Sequence, residues 1–269
     1  MLKDITFGQY FEGKSLLHKT DPRMKISLMI LLIVFIFISK NVFSLLLSAF
    51  FVIMILLISK VPIKMYLKNL KAILPVLIFT ALINIFYGES GTVLFSFWKL
   101  TVTTEGLYRS FFMALRIVLL IFISSVLTYT TTPNDLTDAI ESLLSPLKFI
   151  GLMSAVHTLA MMMTIALRFI PTLIEEAEKI MNAQKARGAD LESGGLVQRV
   201  KALIPILIPL LISSVRRASE LAEAMECRCY NGGEGKTRMK QMKLSAVDFY
   251  ALFVCIIFSG AIVTLNIIF

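Results

Sequence analysis

Apolar residues along the chain gather into five runs that approach or meet the roughly 17–25 residues a helix needs to cross a bilayer. They occupy residues 26–39, 42–59, 72–87, 111–130 and 249–269. Only Lys40 and Asn41 separate the first two, so these read as a helical hairpin with a very short turn. Pro75 falls in the first turn of the third run, where a missing amide N–H matters least. The first and third runs are short, and flanking residues or a thinned bilayer must complete them.

Between residues 131 and 245 the pattern changes from continuous to amphipathic. Thr132-Pro133-Asn134-Asp135 is a turn and helix-start signal. Behind it Leu136, Ile140, Leu143, Leu144 and Leu147 recur at helical spacing, with Asp138 and Glu141 opposite. Such a helix, ending near Ser145-Pro146, suits a membrane surface or another helix. A longer helix is predicted over residues 152–187, which at 1.5 Å per residue is roughly 54 Å. Its first half is apolar but holds His157, Arg168 and the run Met161-Met162-Met163. In its second half Leu173, Ala177, Ile180, Gln184 and Arg187 line one stripe, and Glu175, Glu176, Lys179 and Lys185 are expected away from it. Glu175, Glu176 and Glu178 read as a solvated face, and Gly188 as a C-terminal stop.

Residues 202–215 carry Pro205 and Pro209 and are too short and interrupted to read as a span. From Pro209 a second amphipathic helix reads onward through Leu211, Val215, Ala218, Ala222, Met225 and Cys229. The ends of the two amphipathic helices resemble one another: residues 183–188 (AQKARG) and 224–229 (AMECRC) share the pattern Ala-x-x-small-Arg-small, 41 residues apart. Small neighbours let a partner backbone come close while the guanidinium reaches a carboxylate. Two similar knobs imply two similar receptors.

Composition sharpens the class. The chain of 269 residues is 57% hydrophobic and 17% charged, where soluble domains run near about 45–50% and 25%. That excludes an ordinary cytosolic enzyme, a disordered tail and a secreted disulfide scaffold, and leaves an all-α, polytopic membrane protein with about five transmembrane helices. The domain reading is residues 1–130 for the first four spans, 131–245 for a cytoplasmic helical domain, and 246–269 for the last span. Nine Lys and Arg flank the first span's start and the second-to-third loop, against three in the hairpin turn and the loop after the third run. The positive-inside rule then puts the N-terminus and residues 131–245 in the cytoplasm and the C-terminus outside. The net charge of +9 is therefore topology rather than a sign of nucleic acid. Arg116, about a turn and a half inside the fourth run, is expected to snorkel rather than to form a buried pair.

Enzymatic chemistry finds no foothold. His18 and His157 lie in different regions, with no zinc spacing. Residues 231–236 (NGGEGK) lack the loop length and preceding strand of a phosphate cradle, and no Ser or Cys stands in a nucleophile motif. Cys227, Cys229 and Cys255 have no metal or redox spacing and fit a reducing face or lipid burial. No cleavable signal peptide is expected, and no cofactor or metal is implied. A stand-alone secondary transporter or channel is the competing reading. It lacks inverted repeats, and it leaves the long helical insert unexplained.

Gly8-Gln9-Tyr10, the run from Leu17 to Arg23 (LHKTDPR), Thr132-Pro133-Asn134-Asp135-Leu136, Leu167-Arg168-Phe169-Ile170-Pro171 and the two Arg tips together resemble the EcfT/CbiQ family of transmembrane coupling subunits of energy-coupling factor transporters. The resemblance covers most of the chain. It implies that Ala186, Arg187 and Gly188, and Cys227, Arg228 and Cys229 in place of the usual Ala-Arg-Gly, dock into two ABC-type ATPases. It implies further a small membrane substrate-binding component, and import of vitamins or transition-metal ions without catalysis by this chain. The apolar faces carrying Leu136, Ile140, Leu144 and Leu147, and Met161 and Met162, are the expected contacts with that component.

Overall fold

The computed structural model describes residues 10–86, 92–97, 100–151, 153–189, 195–231 and 242–268. The described residues divide into two compact units, one of residues 10–136 and 242–268, the other of residues 137–231.

The first unit opens with the short helix α1 (Leu16–Lys19) and then α2 (Pro22–Ile38). Asp21 caps α2 by accepting from the Arg23 N–H, and Pro22 takes the first helical position, where it loses no hydrogen bond. After the predicted short turn comes α3 (Val42–Ser59), and Lys60 ends it in the left-handed region at φ 56°. Helix α4 runs from Ile63 to Phe86. Lys64, Lys68 and Lys71, which read as loop, form the first turns of this helix, so Pro75 sits mid-helix instead of in its first turn. It leaves the Lys71 carbonyl without its helical donor.

An antiparallel hairpin follows: β1 (Val93–Phe97) and β2 (Leu100–Thr103) pair from Val93↔Thr103 to Phe97↔Leu100. Among the described residues it is the strand addition to otherwise helical elements. Thr103 then caps α5 (Thr104–Thr130) through the Gly106 N–H, and α9 (Ala246–Ile268) closes the unit.

Helices α2, α3, α5 and α9 share one core of Leu32, Ile36, Leu45, Phe51, Val52, Leu119, Ile123, Cys255, Phe258 and Ile262. Phe51 and Phe258 stack with centroids 4.0 Å apart. Ser39, Ser44, Ser48 and Ser59 are fully buried while Phe50 and Phe111 are 68% and 70% exposed. Small polar residues between helices and large apolar ones outside are the packing of a bilayer protein, whose surroundings are as apolar as its interior.

Arg116 does not simply snorkel. Its Nη2 donates to the Ser39 carbonyl at the end of α2, and its guanidinium lies 4.9 Å from the Phe112 ring centroid. A helix C-terminus carries partial negative charge and orphan carbonyls, which makes it a partner for a cation inside a bundle.

The second unit contains most of α6 (Pro133–Leu143), a 3₁₀ turn at Ser145–Ile150, α7 (Met153–Ala186) and α8 (Leu196–Cys227). Thr132 caps α6 through the Asp135 N–H at 3.2 Å, as the start signal predicts. The expected interruption over residues 202–215, with a helix starting only at Pro209, is not found. Pro205 and Pro209 lie inside one continuous α8, each removing a single donor without stopping the helix. Six helices, α3, α4, α5, α7, α8 and α9, are long and apolar enough to cross a membrane, close to the five expected.

Candidate docking tips

Helix α7 ends because Gly188 follows Arg187 at φ +85°. The Ala189 N–H reaches back to the Gln184 carbonyl at 3.0 Å and the Gly188 N–H to the Lys185 carbonyl at 2.9 Å. This crossed pair of bonds is a Schellman cap, with Arg187 as the last residue before the left-handed turn.

Helix α8 ends the same way. The Tyr230 N–H bonds the Met225 carbonyl at 3.1 Å and the Cys229 N–H bonds the Glu226 carbonyl at 2.9 Å, with Cys229 at φ +52°. Arg228 therefore holds the cap position that Arg187 holds on α7. The small-Arg-small pattern acquires a backbone meaning: the residue after each arginine must enter the left-handed region. Glycine enters freely, whereas a side chain there costs about 1–2 kcal/mol. Ala186, Arg187, Gly188, Cys227, Arg228 and Cys229 are all exposed, and among the described residues no carboxylate pairs with either guanidinium.

Upstream, Glu176 corrects the solvated-face expectation. It accepts from Ser213 Oγ and, at 2.7 Å, from Arg217 Nη2, so it ties α7 to α8. Glu175 remains exposed. Counted at 100° per residue, Glu176 is only about 20° from Arg187 around the helix, which is at the edge of the predicted stripe rather than away from it. Further up α7, His157 Nδ1 meets Glu141 Oε1 of α6 at 2.6 Å.

The expected apolar contact residues are distributed unevenly. Leu136, Ile140 and Met161 are half-buried, while Leu144 and Met162 are exposed at 38% and 54%. The Leu147 side chain, like Gly8, Gln9, Leu152 and residues 232–236, lies outside the described residues. Phe149, in the 3₁₀ turn after α6, which sequence reasoning passed over, is 96% exposed.

The motif before the first span is a structural anchor. His18 bonds Ser15 Oγ at 2.6 Å and the Phe11 carbonyl at 2.9 Å, and Thr20 Oγ1 donates to the Leu17 carbonyl. The Phe11 N–H bonds the Tyr129 carbonyl at the far end of α5. No group of three or more metal-ligating side chains occurs among the described residues.

Comparison with known proteins places this architecture. The profile of the CbiQ family, described as cobalt transport protein, matches residues 13–239. The chain is 49% identical to the energy-coupling factor transporter transmembrane protein EcfT of Ruminiclostridium cellulolyticum over 269 residues, the whole of both chains. It is 54% identical to the protein of that name from Clostridium kluyveri over 252 residues, 93% of each. With the Bacillus subtilis protein it shares 43% over 248 residues, 92% of this chain and 93% of the relative. With a profile match over most of its length and near-half identity from end to end, the chain belongs to the EcfT/CbiQ family of energy-coupling factor transporter transmembrane proteins.

Proposed function

We propose that this chain is the coupling subunit of an ATP-driven importer: Arg187 and Arg228 dock two ABC-type ATPases, and the helices behind them pass the ATPases' motion to a small membrane substrate-binding component. The cargo class is a vitamin or a transition-metal ion. This subunit hydrolyses no ATP and binds no cargo itself. In this reading the N-terminus and residues 131–245 are cytoplasmic and the C-terminus is outside, as the lysine and arginine distribution favours.

The observation that carries the reading is the pair of matching caps, each ending a helix of more than thirty residues on an exposed arginine. A guanidinium on a rigid cap has few conformations to lose, and it presents a planar fork of donors that suits a carboxylate or carbonyls in a groove. Arginine anchors buried at the centre of an interface typically contribute about 2 kcal/mol or more. ATP binding would close the ATPase pair, and each helix would move with its groove. Leu136, Ile140, Leu144, Leu147, Met161 and Met162 would carry the substrate-binding component, with methionine giving an adaptable sliding surface.

The test is co-purification of the membrane complex. Arg187→Glu with Arg228→Glu should abolish recovery of the ATPases while the protein still inserts into the membrane. Recovery of the ATPases with the double variant would overturn the docking role.

A further inference from the structure

The helices of the first unit leave a cavity of about 280 Å³ between them. Its walls fall at positions 25, 28, 29 and 32 of α2, 51, 54, 55 and 58 of α3, and 123, 126, 127 and 130 of α5. That spacing is one face of each helix over two turns. Residues 247–255 of α9 complete the wall, and α1 closes the end with Leu16 and Leu17. At this end Lys25 meets Thr130; at the other, Leu32, Phe51, Ile123 and Cys255 share the core. The four windows therefore lie side by side and form a slot about 10–12 Å long, parallel to the helices.

The slot is polar at one end only. Thr20, Lys25 and Thr130 line the end where α2 begins, and the rest of the way to the core is apolar. Leu16, Met54, Tyr250 and Val254 line the slot and are also exposed, so it opens sideways between α3 and α9. Around membrane-spanning helices that opening faces hydrocarbon. An apolar cavity of about 150 Å³ stays dry and takes up benzene, and this one is larger. Lipid is the filler at hand.

The polar end selects the headgroup. Lys25 Nζ donates to the Thr130 carbonyl at 2.9 Å and to Thr131 Oγ1 at 3.4 Å, which uses two of an ammonium's three donors. Asp135, Asp248 and Asp21 act electrostatically on the same ammonium. The Asp248 carboxylate accepts the Asp21 and Ser245 N–H groups. A purely anionic headgroup would meet Lys25 but be repelled by these acids. A zwitterion matches both signs.

We propose that the slot is a phospholipid site, filled by one acyl chain of a zwitterionic glycerophospholipid of the phosphatidylethanolamine class, with its phosphodiester at Lys25 and its ammonium on the aspartate side. On the topology proposed above this lipid belongs to the cytoplasmic leaflet, but the site does not rest on that reading or on the docking tips. The bound chain packs between α3 and α9, and its occupancy stabilises the folded subunit.

The test reads retained lipid. Full-length protein is equilibrated in bilayers of equimolar phosphatidylethanolamine and phosphatidylglycerol, extracted in mild detergent, and weighed intact by native mass spectrometry. Wild type should keep one ethanolamine lipid, enriched at least five-fold over the bulk ratio. Ala251→Phe, which fills the slot, should lose it, and Ala251→Leu reads out the same loss should the phenylalanine variant fail to accumulate. Lys25→Gln, which keeps a donor for Thr130 but removes the charge, should return the ratio to bulk. Phe50→Ala, on the outer face of α3, should change nothing. A phosphatidylethanolamine with a diazirine in its chain should crosslink to Leu32, Phe51 or Cys255. Retention at the bulk ratio in wild type, undiminished retention in the Ala251 variants, or crosslinks confined to outward residues such as Phe50 and Phe253 overturns the site. Enrichment that survives Lys25→Gln overturns the headgroup assignment.

Discussion

Asp248 Oδ1 accepts the main-chain N–H of Asp21 at 2.8 Å, joining the start of the last helix to the start of α2 across 227 residues. Its other oxygen accepts the Ser245 N–H at 2.7 Å, and the carboxylate is 1% exposed. Two donors therefore depend on one buried side chain. Asp248→Ala would strand both, each at about 1–3 kcal/mol. It should lower the thermal unfolding midpoint of the purified protein well below that of wild type. Asp248→Asn, which keeps one carbonyl oxygen, should fall between. An alanine variant as stable as wild type would mean that water replaces the carboxylate.

The matching caps differ in one residue, and the difference has a measurable sign. The space around a Cβ at Gly188 is empty, so Gly188→Ala meets only the backbone penalty of its φ of +85°. That should loosen the α7 tip by about 1–2 kcal/mol. Cys229→Gly removes the same penalty from α8 but adds about 0.5–1 kcal/mol of unfolded-chain entropy, so the gain should be smaller. Hydrogen exchange of the last-turn amides should speed up at 184–188 in the first variant and slow modestly at 225–229 in the second. Faster exchange in Cys229→Gly would show that the thiol stabilises the cap.

What the chain reveals unaided follows from periodicity. The runs at 42–59 and 111–130 become α3 and most of α5 because lipid-facing and core-facing positions are equally apolar, and length alone marks them. Sequence reading also placed both arginine tips, since Gly188 is a visible stop and the repeat points to Arg228. It missed the continuity of α8, because Pro205 and Pro209 each remove only one donor from a 32-residue helix. It missed Glu176 because acidic neighbours on one turn read as solvated, while the bond from Glu176 to α8 is a long-range fact.

The lysine-rich flanks make a topology prediction. Asn41, in the α2–α3 turn, and Pro62, in the α3–α4 turn, should lie on opposite sides of the membrane. In a cysteine-free background, Asn41→Cys should label from outside with a membrane-impermeant maleimide, and Pro62→Cys only after permeabilisation. The reverse pattern would invert the orientation and overturn the proposed cytoplasmic docking role of the tips.

Arg116 gives the sharpest contrast between bonding and snorkelling. Its Nη2 reaches the Ser39 carbonyl, where Asn266 also holds the turn by accepting the Lys40 N–H at 3.2 Å and donating to the Ile38 carbonyl at 3.0 Å. A snorkelling cation would be replaceable by any residue that tolerates the interface. A bonded one would not: Arg116→Leu strips a charged donor from a helix end and should cost about 1.5–3 kcal/mol. Arg116→Lys keeps the charge but loses the planar contact with Phe112 and should recover only part of it. Thermal unfolding of the two variants in nanodiscs distinguishes the cases, because equal stability of the leucine and wild-type proteins would leave snorkelling as the role of Arg116.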